Sequence, residues 1–193
     1  MGSFCSNGHL EYVLLIMITK SNQSAWNRRN LRLGGHDYSH PGAYFITVRT
    51  RLTGFILGDV HDAAIQLNPL GEAVHSVLEN VASYHEGVSV DTMVVMPDHI
   101  HTILTIDGDV NASVNPKPSI PKIVHSFKSY TTHLFRSIPM ASHACDSKTV
   151  LWQRNYYEHV IRTPTSLRLI REYIHSNPAR LWQRMVSNPK EVL

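Results

Sequence analysis

Charge and cysteine are both scarce in this chain, and each scarcity removes a class of protein. Only 17% of its 193 residues are charged, with a formal balance of +3. No polybasic tail stands out, so a nucleic-acid partner is permitted but not demanded. The two cysteines, Cys5 and Cys145, lie far apart without metal-type spacing and give no disulfide framework, which makes a reducing cytosol the default. Long apolar runs are missing too. Residues 12–18 fall far short of the about 20 residues a membrane span requires, and no basic leader or cleavage site frames them as a signal peptide. Repeats and low-complexity tracts are absent. With 42% hydrophobic residues, the length suits one packed domain; residues 1–26 read as a poorly structured N-terminal extension and 27–193 as that domain.

Periodicity supplies the architecture. Residues 43–49 are rich in aromatic and β-branched side chains and predict a strand, with 54–60 a weaker one. Over 67–84 the period changes, since Leu70, Val74, Val77, Leu78 and Val81 recur at helical spacing. Two strands follow, 90–95 and 99–106, hinged at Met96-Pro97-Asp98, where proline cannot donate to a ladder. A polar connector, 111–121, leads to a predicted helix over 122–137. After a loop, 150–162 reads as another strand. The last helix has Thr163 as N-cap and Pro164 at its first position, and Asn177-Pro178 as its stop. This order predicts an α+β fold: a ferredoxin-like sandwich with a central antiparallel sheet, plus a C-terminal helix.

Within that frame, His99 and His101 flank Ile100 on one strand, so both imidazoles share a face while Ile100 points into the core. Such a pair can hold a metal ion; taken alone, it reads more readily as one or two satisfied histidines on a half-exposed sheet. On the final helix Tyr173 and Asn177 are one turn apart on one face, beside the apolar stripe Leu167, Ile170 and Ile174. A tyrosine there is ordinarily a packing residue. Two imidazoles and the Asn177 amide oxygen form a nitrogen and oxygen set with open positions, suited to a catalytic Mg²⁺ or Mn²⁺ ion rather than a closed structural zinc.

Several motifs in order carry a family resemblance over roughly residues 27–182: Leu31-Arg32-Leu33-Gly34-Gly35-His36-Asp37-Tyr38, then Pro41-Gly42-Ala43-Tyr44-Phe45, Val94-Val95-Met96-Pro97-Asp98-His99-Ile100-His101, Phe127-Lys128-Ser129, Leu151-Trp152-Gln153-Arg154-Asn155-Tyr156-Tyr157-Glu158-His159-Val160-Ile161-Arg162, and Tyr173-Ile174-His175-Ser176-Asn177-Pro178-Ala179-Arg180. The sequence resembles the REP-associated tyrosine transposases, an IS200-like branch of the single-tyrosine HUH transposases. The resemblance implies that His99 and His101 bind a divalent metal and that Tyr173 is the nucleophile, with Asn177 where relatives place a polar third ligand, often glutamine. It implies cutting of single-stranded DNA near palindromic hairpins through a 5′-phosphotyrosine bond, with strand transfer as the reverse step. It further implies a cytoplasmic, nucleoid-associated bacterial protein working as monomer or homodimer. Asp98 departs from the pattern, where asparagine is common.

DNA contacts are expected from Arg28, Arg29 and Arg32 near the start, from Lys122, Lys128 and Arg136 on the helix over 122–137, and from Arg154 and Arg162. A solvated helix face explains Lys122, Lys128 and Arg136 equally well. Tyr156 and Tyr157 are adjacent, so only one can face the metal, and both read more simply as strand aromatics. His159 and His175 are candidates for the outer shell of the site. Two rival functions share these residues: a hairpin-binding protein that does not cut, and a metal hydrolase that uses water as nucleophile.

Overall fold

The computed structural model describes residues 35–108, 118–138 and 149–188. The expected extension, the apolar run 12–18 and Arg28, Arg29 and Arg32 lie outside the described residues. From Asp37 onward the chain belongs to one compact unit.

Four antiparallel strands form the sheet: β1 (Gly42–Arg49), β4 (Val88–Val95), β5 (His99–Ile106) and β6 (Tyr157–Ile161), in the order β4-β5-β1-β6. Two more strands, β2 (Gly58–His61) and β3 (Ala64–Leu67), make a separate hairpin. Its turn residues Asp62 and Ala63 both take positive φ, as a two-residue hairpin turn requires. Helices α1 (Pro69–Glu79), α2 (Val81–Tyr84) and α3 (Ile120–Ser137) pack on one side of the sheet, and α4 (Pro164–Ser187) runs against β4, β5 and the hairpin. The expected ferredoxin-like α+β sandwich is thus present. Among the described residues, no helix is long and apolar enough to cross a membrane.

Alternation along the strands creates two unlike faces. Tyr44, Ile46 and Val48 of β1 join Ile100 and Leu104 of β5, Leu70, Val74 and Leu78 of α1, and Ile123 and Phe127 of α3 in the main core. Phe45, Thr47 and Arg49 lie opposite Ile103, His101 and His99 on the other face. In β4 a bulge between Val90 and Thr92 adds one residue, so Thr92 and Val94 change faces relative to Val90. Val94 then joins Val60, Met96, Leu181, Trp182 and Met185 in a second, smaller cluster under α4.

Four sequence expectations shift. The weak strand over 54–60 is the hairpin arm Gly58–His61, whose partner β3 is unexpected and ends at Leu67, the first residue of the expected helix. The helix over 67–84 begins at Pro69, capped by the Asn68 side chain accepting from Gly71 N at 2.9 Å, and breaks at Asn80. The helix expected from Lys122 already starts at Ile120, because Pro121 sits in the first turn, where no N–H is needed. Pro178 does not end the last helix, which continues to Ser187. An interior proline costs roughly 3 kcal/mol, but Leu181, Trp182 and Met185 beyond it pack on the hairpin, and that burial outweighs the lost hydrogen bond.

Candidate active site

The turn Met96-Pro97-Asp98 is fixed from three sides. Met96 N donates to His99 O at 2.8 Å, Thr50 N to Asp98 O at 2.9 Å, and Leu57 N to Pro97 O at 2.8 Å. Leu57 is in turn crowded by α1: a Cβ on Gly71 would stand 1.9 Å from Leu57 O, so only glycine allows that approach. This bracing sets the position of Asp98 and the start of β5.

On β5 the two imidazoles converge, with His99 Nε2 and His101 Nε2 3.1 Å apart. Their other nitrogens are held from behind. His99 Nδ1 donates to Asp98 Oδ1 at 2.5 Å, and Asp98 also receives Nη2 of Arg49. His101 Nδ1 lies 2.8 Å from Thr47 Oγ1. A carboxylate only accepts, so the His99 bond places a proton on Nδ1 and turns Nε2 toward the second ring. Two imidazole nitrogens this close need a proton or a cation between them.

Burial decides which charges the site tolerates. His101 is 3% exposed, and burial, reinforced by His99 and Arg49 and partly opposed by Asp98, holds its pKa well below the ordinary histidine value. It is neutral at pH 7 and available as a donor. Burial alone would raise the Asp98 carboxyl, but the hydrogen bond and charge of His99, together with Arg49, keep it far below the usual carboxylate range. The set fits a divalent cation: two imidazole nitrogens converging, each ring braced through its far nitrogen, and a fixed negative charge behind one of them. Among the described residues no third His, Cys, Asp or Glu joins them.

Across from the pair stands α4. Tyr173 Oη lies 3.4 Å from His101 Nε2, and its ring meets Phe45 edge-on while Phe45 stacks on His101. The tyrosine is 9% exposed; burial pushes its pKa up, whereas the Asn177 side chain, Arg180 and Arg184 act in the opposite direction. Asn177 is buried one turn on, and its Nδ2 donates to Tyr173 O at 3.0 Å. No hydrogen bond joins Asn177 to either imidazole. Sequence reasoning grouped His99, His101, Tyr173 and Asn177; of these the structure brings His99, His101 and Tyr173 within contact and gives Asn177 a bond to Tyr173 O. The grouping missed Thr47 and Arg49, whose signal is their phase: they alternate with Ile46 and Val48 as the polar positions of an otherwise apolar strand. It also gave no role to Arg180, whose Cζ lies 5.6 Å from the centre of the Tyr173 ring.

The other expected contacts divide. Lys122, Arg154 and Arg162 are exposed. Lys128 instead donates to Gln153 O at 2.5 Å and Arg154 O at 3.0 Å, and burial lowers its pKa to about 8. Arg136 donates through Nε and Nη2 to Thr149 O. Both cations bind the segment before β6 to α3, as does Trp152 Nε1, which donates to Thr131 Oγ1 at 2.7 Å. That segment was expected to be strand over 150–162; with its carbonyls turned to the helix, it keeps only a single bridge, Thr50 to Trp152, before β6 begins at Tyr157. Tyr157 and His159 lie opposite Thr47 and Phe45, on the face of the histidines, while Tyr156 packs toward the main core. His175 is exposed, with Nε2 3.3 Å from Thr92 Oγ1.

The family described as "Transposase IS200 like" matches residues 62–177, a span containing both histidines, Tyr173 and Asn177. An uncharacterized protein of Haemophilus influenzae (strain Rd) is 34% identical over 182 residues, covering 87% of this chain and 97% of its own length. Among solved structures, a REP-associated tyrosine transposase bound to a REP hairpin shares the fold with a TM-score of 0.53 and 21% identity, over 79% of this chain and 74% of that one.

Proposed function

The chain belongs to the IS200-like transposase family, and from that premise we propose that it cuts and rejoins single-stranded DNA beside palindromic hairpins, with Tyr173 as nucleophile and a divalent metal held by His99 and His101. One observation carries the reading: Tyr173 Oη lies 3.4 Å from His101 Nε2, which itself faces His99 Nε2 at 3.1 Å. Mg²⁺ or Mn²⁺ bound there would polarise the phosphate oxygens and offset charge developing on them. Asn177 supplies a third donor through Oδ1, since its amide nitrogen is already committed to Tyr173 O. Phe45 and the buried flank of α4 hold the phenol in line and keep bulk water from it. Tyr173 meets the histidines of its own chain, which supports chemistry in cis by a monomer or by each subunit of a homodimer. Exposed Lys122, Arg154 and Arg162, with Arg28, Arg29 and Arg32 on the N-terminal side, hold the phosphates of the hairpin and its flank. The setting is the bacterial cytoplasm, at the nucleoid.

The test uses labelled single-stranded oligonucleotides tiled across inverted repeats beside the gene, incubated with the protein and Mn²⁺. A denaturation-resistant protein–DNA adduct is expected, absent with Tyr173→Phe and absent in chelator. Cleavage that survives Tyr173→Phe would point to water as nucleophile, and hairpin binding without any product to a module that does not cut.

A further inference from the structure

The cations of α4 are not equivalent. Near its start, Arg168 Nη1 donates to Glu172 Oε1 at 2.6 Å, and Arg171 pairs with Asp91, Nε to Oδ2 at 2.8 Å. Past Pro178 the pattern changes. Arg180 and Arg184 are exposed, and neither has a carboxylate partner among the described residues. Arg180 follows Tyr173 by seven positions and Asn177 by three, so all three lie along one side of the helix. Its guanidinium stands over the Tyr173 ring, Cζ 5.6 Å from the centroid. A cation–π contact accounts for the position but leaves the planar fork of donors unused, and an uncompensated positive charge beside a nucleophile suits a reaction at a phosphodiester.

We propose that Arg180 is a catalytic residue that grips the non-bridging oxygens of the scissile phosphate while Tyr173 attacks, with Arg184 one turn on reinforcing the local positive charge. The inference rests on the reading of Tyr173 as nucleophile. In the step, the bond from Tyr173 Oη to phosphorus forms and the bond from phosphorus to the 3′-oxygen breaks. The phenolic proton passes to water, and the leaving oxygen is protonated from water as a 3′-hydroxyl. Two donors of the guanidinium take the equatorial oxygens, whose charge grows as the fifth bond forms; the helix carrying the nucleophile thereby also carries its charge clamp, and the two move together.

The experiment compares wild type, Arg180→Gln, Arg180→Lys and the control Arg168→Gln under single-turnover conditions, using the oligonucleotide that wild type joins most efficiently and the same strand with an uncharged methylphosphonate at the scissile position. Arg180→Gln is expected to slow adduct formation by about 100-fold or more on the phosphodiester, with hairpin binding by fluorescence anisotropy changed only a few-fold. On the methylphosphonate, which lacks the charge the clamp meets, the defect should shrink at least tenfold. Arg180→Lys should recover part of the rate, and Arg168→Gln should match wild type. An equal defect on both substrates would make Arg180 a packing residue and overturn the proposal. So would a phosphodiester rate within threefold of wild type, leaving the nucleophile reading intact. If wild type forms no adduct with any oligonucleotide, the nucleophile reading and this proposal fall together. Should Arg180→Gln not fold, by thermal melting, Arg180→Lys decides by the same difference between substrates.

Discussion

Along β1, Tyr44, Ile46 and Val48 turn toward α1 and α3, whereas Phe45, Thr47 and Arg49 turn toward the histidines and α4. The clearest contrast is between neighbours on β5. Ile100 is 1% exposed and His101 3%, so water is excluded equally from both, yet the energetic consequences are opposite. Burying an isoleucine stabilises by about 1.5–3 kcal/mol. Burying an imidazole removes its hydration and must be offset bond by bond, here by Thr47 Oγ1 at 2.8 Å and stacking on Phe45. One face of the sheet holds the fold together; the other spends part of that stability on a preorganised site.

The sharpest test of this contrast exchanges neighbours. His101→Ala should lower metal-dependent adduct formation by at least about 100-fold, measured in single turnover, while the protein still unfolds cooperatively. Ile100→Ala should cost about 2–5 kcal/mol of stability in a urea titration, with metal binding retained wherever the protein is folded. If the two readouts fail to separate, the division between the faces is wrong. Thr47→Val removes a bond behind the site rather than a donor within it; Mn²⁺ affinity by titration calorimetry should fall about 10–100-fold. Pro178→Ala should raise stability by about 1–3 kcal/mol, because it restores an N–H to Ile174 O, and a thermal melt reads this directly.

The smallest expected effect is pH-dependent. Asp98 titrates far below its ordinary range in the folded protein, so the unfolded chain takes up its proton first as pH falls. Its contribution is present above the ordinary carboxyl pKa of about 4 and is lost below it. Measured in chelator, the stability difference between wild type and Asp98→Asn should be largest near neutral pH and shrink as pH drops from 5 toward 2.

Much of this contrast was legible in the sequence. The alternation around His99-Ile100-His101 and the helical spacing of Tyr173 and Asn177 are local geometry, fixed by the strand and helix periods. What stayed hidden depends on partners distant in sequence. Thr47 lies 54 residues from His101, and only the β1–β5 register brings them together. Lys128 and Arg136 look like solvated cations on a helix face until the segment before β6 is seen presenting its carbonyls to them. Pro178 signals a stop by local rules and is overruled by packing against a hairpin that begins 120 residues earlier in the chain. The same overruling leaves Arg180 helical beside Tyr173, where a helix ending at Asn177 would have released it.

The bulge in β4 has a consequence for how this chain tolerates insertion and deletion. Because the extra residue sits between Val90 and Thr92, the parity of the strand differs on its two sides. Excising Asp91 would put Thr92 directly after Val90 and leave Thr92, Met93, Val94 and Val95 opposite Ile103, Thr102, His101 and Ile100 as before, so the ladder would become regular and no side chain would change face. It would also delete the carboxylate that ties Arg171 of α4 to the sheet edge. A single deletion at the bulge is therefore expected to keep the same side chains under the tyrosine helix while losing that tie, whereas a single insertion between Thr92 and Val95 would send the residues beyond it to the opposite face, so the edge strand holds one residue it can lose but has no place for one more.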